Sequence, residues 1–315
     1  MHSKFVDLVT AKDIQSKEIP PINWAIENLI PEGLTLLTGR PKAGKSFMAF
    51  DMALAITQGE KFLNKFPTVK GKVLYIPFED NERRIQNRLN DLLQGGEAPP
   101  DLLFPSELFF PKIDQEGVDV LEEILQQTKD LRLIIIDTFG AAISDGFNNL
   151  GLNFKDDYGF MSKFQKLALE FQVGILLIHH TRKLTSENVF DEVVGSTGVT
   201  ASPDTLLMLR KTSDRVQFHI TGRDIKESIY EVSFDSDCFK WEILSEDFLF
   251  AYTADRQQII DLFESDPTKE LQIKDIAELT GKTRAAISQI IRKMKQSGEI
   301  QSGSSYGFYK LPKPN

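Results

Sequence analysis

Cysteine is nearly missing from the 315-residue chain, where Cys238 stands alone. One thiol excludes an intramolecular disulfide and leaves a cysteine-built zinc site without its ligands. Positive charge is not in excess either: 37 basic residues face 46 acidic ones, a net charge of -9. That balance excludes a protein that coats nucleic acid by bulk electrostatics, so any such contact must be local. No apolar run is long enough to span a bilayer, and the opening "MHSKFVDLVTAKDIQSKEIPP" has no apolar core of signal-peptide length. A soluble, cytoplasmic protein with no membrane partner is the expectation. Internal repeats, coiled-coil heptads and low-complexity tracts are also absent. What remains is an ordinary apolar share of 41%, enough for a proper core in one large domain or a medium and a small one.

The periodicity divides the chain. Residues 1–32 are polar and then punctuated by Pro20, Pro21 and Pro31, with one apolar cluster, "INWAIENLI"; they read as an N-terminal arm. Over residues 33–248 short apolar runs alternate with helical patterns, which predicts a parallel sheet with crossover helices. The predicted strands are "LTLLTG", "KVLYIPF", "LRLIIID" and "VGILLIHH", then "TLLMLRK", "RVQFHITG", "IYEVSFD" and "CFKWEIL". The last four are joined by turn-like pieces such as "TSD" and "DSD" and are expected as antiparallel hairpins that extend the parallel part. Over residues 254–315 the pattern changes to short amphipathic helices, two of them joined by a Thr-Gly turn, followed by two short strands around "SGSSYG". That order predicts a small helix-turn-helix domain of the winged type. The fold class expected is α/β, a mainly parallel sheet with an antiparallel extension, plus this C-terminal domain.

"GRPKAGKS" matches the phosphate-loop pattern G-x-x-x-x-G-K-[ST] and lies between a predicted strand and a predicted helix. The binding stretch runs Gly39, Arg40, Pro41, Lys42, Ala43, Gly44, Lys45, Ser46 and into Phe47. Glycines let backbone amides curl around phosphates, and the helix N-terminus adds partial positive charge. Lys45 is expected to reach the β- and γ-phosphates of ATP, and the Ser46 hydroxyl to ligate Mg²⁺. Asp137 ends "LRLIIID", where a carboxylate orients the water shell of that ion.

A phosphate loop and a magnesium aspartate do not select a reaction. Hydrolysis also needs a group that orients or deprotonates water, and "KVLYIPFED" ends in two carboxylates. If that strand lies beside the phosphate-loop strand, Glu79 falls on the ligand-binding edge. Asp80 and Asn81 also suit a simple strand end with a helix cap.

The stretches "INWAIENLIPEGLTLLTGRPKAGKS", "VLYIPFEDNERRIQNRL", "LIIIDTF", "LLIHHTRK" and "GSTGVTASPDTLLMLRK" resemble the RecA-superfamily ATPases, most closely the RepA-like group that includes plasmid hexameric replicative helicases. The resemblance covers Ala11 to Leu244. It implies a RecA-like domain, a ring-forming homo-oligomer with a hexamer foremost, and single-stranded DNA in the ring channel. Glu79 would be its catalytic glutamate, with Asp80 as helix cap and Arg83, Arg84 and Arg88 on a solvated face. His179 and His180 would be γ-phosphate sensors, His179 the inward one; by spacing, no third ligand completes a metal site around the pair. Arg223, in "HITGRDIKE", would reach the neighbouring subunit's site as an arginine finger, with Arg210 and Lys211 as alternates. A plain ion pair with a nearby acid such as Asp224 is the other reading of Arg223.

In such a ring the segments 139–157 and 181–195 would face the channel. Arg182 and Lys183 are the DNA contacts expected there, with Phe139, Phe147, Phe154 and Phe190 available for stacking. Acidic residues, among them Asp145, Asp156, Asp157, Glu187, Asp191 and Glu192, oppose that expectation. On the C-terminal domain Lys282, Thr283, Arg284 and Arg292 face outward on the recognition helix and suit duplex DNA. The leading expectation is a Mg-dependent ATP hydrolase acting on DNA as a replicative-type helicase or translocase. The alternative is an ATP-gated DNA-binding regulator, or a replication or partitioning adaptor, with little turnover.

Overall fold

In the computed structural model, residues 8–144, 154–181, 189–194, 197–211, 216–245, 249–264, 269–296, 299–305 and 307–312 are described. The chain forms two compact units, Met1–Leu244 and Ser245–Asn315.

Residues 8–21 are exposed throughout and include a short helix, α1 (Ala11–Ser16), closed by a Thr10–Asp13 capping box. The rest of the expected arm is different. Strands β1 (Trp24–Ile26) and β2 (Ile30–Pro31) form a hairpin whose Ala25, Ile26, Leu29 and Ile30 are buried in the core of the first unit.

The sequence then alternates as expected: β3 (Gly33–Gly39), α2 (Lys45–Gln58), β4 (Lys72–Pro77), α3 (Glu82–Leu93), β5 (Leu102–Leu103), α4 (Val118–Gln127), β6 (Leu131–Asp137), α5 (Phe139–Ala142), α6 (Phe154–Glu170) and β7 (Gly174–His180). After α7 (Thr197–Ala201) come β8 (Thr205–Lys211), β9 (Val216–Gly222), β10 (Ser228–Asp235) and β11 (Lys240–Ser245). Among the described residues these build a nine-stranded sheet of order β11-β10-β9-β8-β3-β7-β6-β4-β5. Strands β8, β3, β7, β6, β4 and β5 run parallel, and β9 and β10 join them antiparallel.

Alternation along each strand sorts the core into two faces. Leu37, Val73, Tyr75 and Ile135 pack with Phe50, Ala53 and Ile56 of α2, whereas Leu36, Leu74, Ile134 and Ile136 pack with Leu121 of α4 and Phe164 of α6. Each fully buried aliphatic side chain contributes roughly 1.5–3 kcal/mol relative to exposure. The central strands therefore form a rigid base whose carboxyl ends carry the chemistry.

In the second unit the order is α8 (Leu249–Glu264), β12 (Leu271–Gln272), α9 (Ile273–Thr280), α10 (Arg284–Gln296), β13 (Gln301–Ser302) and β14 (Phe308–Lys310). Its three strands pair as β12-β14-β13. Strand β12 has no counterpart among the predicted elements; two residues are too few for a visible alternation. Ile276, Ile287, Ile290, Ile291 and Met294 are buried with Ile259 and Phe263 of α8, while Leu279, apolar as well, is 55% exposed. Glu270 ties the hairpin together, accepting from Ser304 N and Oγ and from Lys310 Nζ.

Candidate functional site

The phosphate loop joins β3 to α2 at the carboxyl edge of the parallel strands. Gly44 takes the left-handed conformation at φ +88°, and a Cβ there would stand 2.5 Å from Cζ2 of Trp241. Only glycine suits both demands. Trp241, on β11, donates from Nε1 to the Gly44 carbonyl at 3.3 Å. Lys45 is buried with its ammonium turned back on the loop, donating to the carbonyls of Gly39 at 2.9 Å and Arg40 at 3.0 Å. Burial pushes its pKa down to about 8, against the opposing pull of the Asp137 and Glu79 carboxylates. Arg40, Pro41 and Lys42 are exposed at the tip, and Ala43, Gly44, Ser46 and Phe47 are half-buried.

Asp137 reaches the same edge because β6 lies beside β7, which lies beside β3. It is 4% exposed, and burial raises its pKa, while hydrogen bonds from Tyr75 and Ser46 act in the opposite direction. The Tyr75 hydroxyl donates to Asp137 Oδ2 at 2.5 Å. A hydroxyl and a carboxylate side by side are the hard oxygen donors that magnesium takes together with phosphate oxygens and water. Among the described residues no group of three or more His, Cys, Asp or Glu side chains could hold an ion on its own. Ser46 and Asp137 therefore fit a magnesium that arrives with nucleotide.

Strand β4 lies on the far side of β6 from β7, so the condition that it adjoin β3 directly is not met. Its end still reaches the site. Glu79 is exposed and its Oε1 accepts from Thr138 Oγ1 at 2.7 Å, next to Asp137. Its charge acts on both Lys45 and His180. Asp80 is not the helix cap. Asn81 has the extended backbone of the N-cap, and its side chain accepts from Arg84 N at 3.0 Å. Asp80 instead accepts from Arg88 Nη1 at 2.6 Å, and the Arg88 guanidinium lies 5.1 Å from the ring centres of both Phe47 and Phe50. Arg88 is thus a largely covered residue of the site wall rather than part of a solvated face.

The two histidines are placed differently. His180 Nδ1 stands 3.2 Å from Lys45 Nζ, and burial, with the lysine charge adding to it, lowers its pKa. The neutral ring accepts from the ammonium. His179 is buried beneath the Phe139 ring at 5.5 Å, with Nε2 at 2.9 Å from the carbonyl of Val194. The inward position expected of His179 is therefore a packed one, and His180 meets the phosphate loop.

Arg223 lies at the end of β9, which runs antiparallel to β8, and so at the opposite edge of the sheet from its own phosphate loop. Its Nη1 donates to Asp204 Oδ1 at 3.1 Å, and its side chain is 54% exposed; Asp204, not Asp224, is the partner. Arg210 ends β8 on the phosphate edge and donates to the buried Glu192 at 2.9 Å.

Of the expected channel residues, Arg182 and Lys183 lie outside the described residues, as do Phe147, Asp145 and Glu187. Phe139 is fully buried against Phe160, Phe164 and His179 and is unavailable for stacking on a base. On α10, Arg284 and Arg292 are exposed, and Lys282 just ahead of the helix is half-buried. Thr283 has another occupation, since its Oγ1 accepts from Ala286 N at 3.3 Å at the start of the helix.

Tyr75, Trp241 and Thr138 also touch the site, and sequence reasoning misses them. A tyrosine within the aliphatic run "KVLYIPF" is the available signal, because a buried hydroxyl needs a partner. Trp241 is 197 residues from Gly44 and has no local signal.

A phosphate loop on a mainly parallel sheet, extended by antiparallel strands and carrying Asp137 on its carboxyl edge, defines a RecA-like P-loop ATPase domain. The chain belongs to the family described as AAA domain, which matches residues 2–186, more than half of its length. Among solved structures, one ATPase domain is 12% identical and superposes with a TM-score of 0.51 over 68% of this chain and 85% of that one. The RadB recombinase is 15% identical, with a TM-score of 0.47 over 69% and 93% of the two chains. A KaiC-like protein from the hyperthermophilic archaeon Pyrococcus horikoshii OT3 is 12% identical, with a TM-score of 0.47 over 70% and 94%. Among the described residues no helix is long and apolar enough to cross a membrane.

Proposed function

We propose that the protein is a cytoplasmic, Mg-dependent ATP hydrolase that acts on DNA as a ring-forming, RepA-like helicase or translocase, with its second unit serving as a winged-helix contact. The observation that supports hydrolysis best is Glu79, held at 2.7 Å by Thr138 on the edge that carries Lys45 and Asp137. A carboxylate free of metal ligation and fixed by one hydroxyl can orient water and take its proton. Lys45 would leave its carbonyl contacts for the β- and γ-phosphates. Ser46 and Asp137 would hold magnesium, which when bound neutralises phosphate charge and polarises the transferred group. His180, in contact with Lys45, is the better placed of the two histidines to register the γ-phosphate. His179 would pass the change to the segment at Val194.

An arginine finger must lie away from its own phosphate loop, and Arg223 meets that requirement once a neighbour in a hexamer draws it from Asp204. Arg210 and Lys211, the alternates, end β8 on the phosphate edge and do not meet it. Single-stranded DNA would meet Arg182 and Lys183, and duplex DNA would meet Lys282, Arg284 and Arg292, with Thr283 capping the helix that presents them. The exposed basic face of α10 also supports a second reading, an ATP-gated DNA-binding regulator with little turnover.

Turnover separates the two. Phosphate release, strand displacement and particle mass should be measured with and without ATP, Mg²⁺ and single-stranded DNA. The motor reading expects DNA-stimulated release from a ring, and Glu79→Gln should lower it by at least about a hundredfold with ATP affinity retained. Tight ATP binding without turnover would select the regulator. A monomer in every nucleotide state would remove the trans role of Arg223.

A further inference from the structure

Tyr75 is fully buried, on the face of β4 that packs against α2, and its ring is held by Phe50 at 4.2 Å and Phe104 at 5.8 Å. The neighbours Leu74 and Ile76 point to the other face. Held in this aromatic cluster, the ring places its hydroxyl on Asp137 Oδ2 at 2.5 Å across the β4–β6 pair. Asp137 is 4% exposed, so water cannot readily substitute for that donor. Ser46 approaches the same carboxylate from the phosphate loop. The two donors differ in kind: Ser46 is itself a ligand candidate, whereas the tyrosine comes from the neighbouring strand and not from the loop.

We propose that Tyr75 is a positioning residue for the magnesium–nucleotide complex: its hydroxyl fixes the orientation of the Asp137 carboxylate so that the free oxygen faces Ser46 and the phosphate loop. This rests on the reading of Ser46 and Asp137 as the magnesium site. Outer partners of metal-binding carboxylates act through orientation, and their loss weakens metal affinity while the other ligands stay in place.

Tyr75→Phe keeps the ring contacts and removes only the hydroxyl. ADP affinity of the full chain, measured by titration calorimetry in excess Mg²⁺ and again in EDTA, separates positioning from packing. The expected result is an unchanged affinity in EDTA and a loss of about tenfold in the gain that Mg²⁺ confers. An equal loss in both conditions would mark a merely structural tyrosine and overturn the proposal, as would a variant whose Mg²⁺ gain equals that of the wild type. In an Asp137→Asn background the same substitution should have no further effect on the Mg²⁺ gain; a second loss of similar size would show action independent of Asp137 and also overturn it. A wild-type protein whose ADP affinity ignores Mg²⁺ would overturn the magnesium reading itself, and this proposal with it.

Discussion

His219 shows how a single buried side chain makes the sheet sensitive to acid. It is 8% exposed on β9, 2.9 Å from Gln217 Oε1, and burial, with the Arg210 charge adding to it, pushes its pKa down to about 4. The unfolded chain takes up this proton near 6.5, the folded one near 4, so stability is lost as pH falls through that window. Asp51 works the other way: burial raises its pKa to about 6, and its contribution is lost as pH rises from 3.8 to about 6. The difference between wild type and His219→Gln isolates the histidine. Urea unfolding should show the two stabilities diverging by on the order of 3 kcal/mol between pH 6.5 and pH 4, with the variant the less acid-sensitive. At this scale the sequence is legible where chemistry demands a residue type. Lys45, Ser46, Asp137 and Glu79 can be named because phosphate and water chemistry leaves few substitutes. Partners brought together by the fold, such as Tyr75 with Asp137 and, at the other edge of the sheet, Asp204 with Arg223, follow from strand order, and the sequence alone does not pair them.

Helix α3 separates two kinds of ion pair that look alike in a sequence. Asp80 and Arg88 are 14% and 15% exposed and 2.6 Å apart, whereas Arg84, 65% exposed, stands 3.8 Å from the same carboxylate. Removing Asp80 would leave Arg88 covered by two aromatic rings without its counter-ion. Asp80→Ala is expected to cost about 2–3 kcal/mol in urea unfolding, and Arg84→Ala less than about 0.5 kcal/mol. The strands of the sheet are readable because runs such as "LRLIIID" are buried on both faces and carry no competing helical period. The start of α3 is harder: Asp80 and Asn81 are both good caps, and only the backbone at Asn81, φ -103° and ψ 168°, decides between them. Segment 139–157, which the resemblance puts at the channel, is helical at Phe139–Ala142 and again from Phe154, where α6 begins.

At the scale of the whole molecule, every described group of the phosphate site belongs to the first unit, Met1–Leu244. A chain ending at Leu244 is therefore expected to keep nucleotide binding, and ATP at about a hundred times its Kd should stabilise it by about 2.7 kcal/mol, as in the full chain. Duplex binding, in contrast, should be lost with the second unit if α10 carries it. Calorimetric unfolding with and without ATP, together with a duplex titration, checks both statements. The change of pattern near Ala254 makes the second unit visible because its period shifts from strand to short amphipathic helix. The resemblance already puts Arg223 ahead of Arg210, and the antiparallel course of β9 sets the two at opposite edges of the sheet, with Arg210 on the phosphate edge.

The chain has two tryptophans, Trp24 and Trp241, and the second presses its indole against the phosphate loop at Gly44. An aromatic chromophore is thus already installed where nucleotide phosphates would bind. In a Trp24→Phe protein the emission excited at the red edge of the tryptophan band would come from this one indole, and loop rearrangement could be followed in real time by stopped flow, without a label.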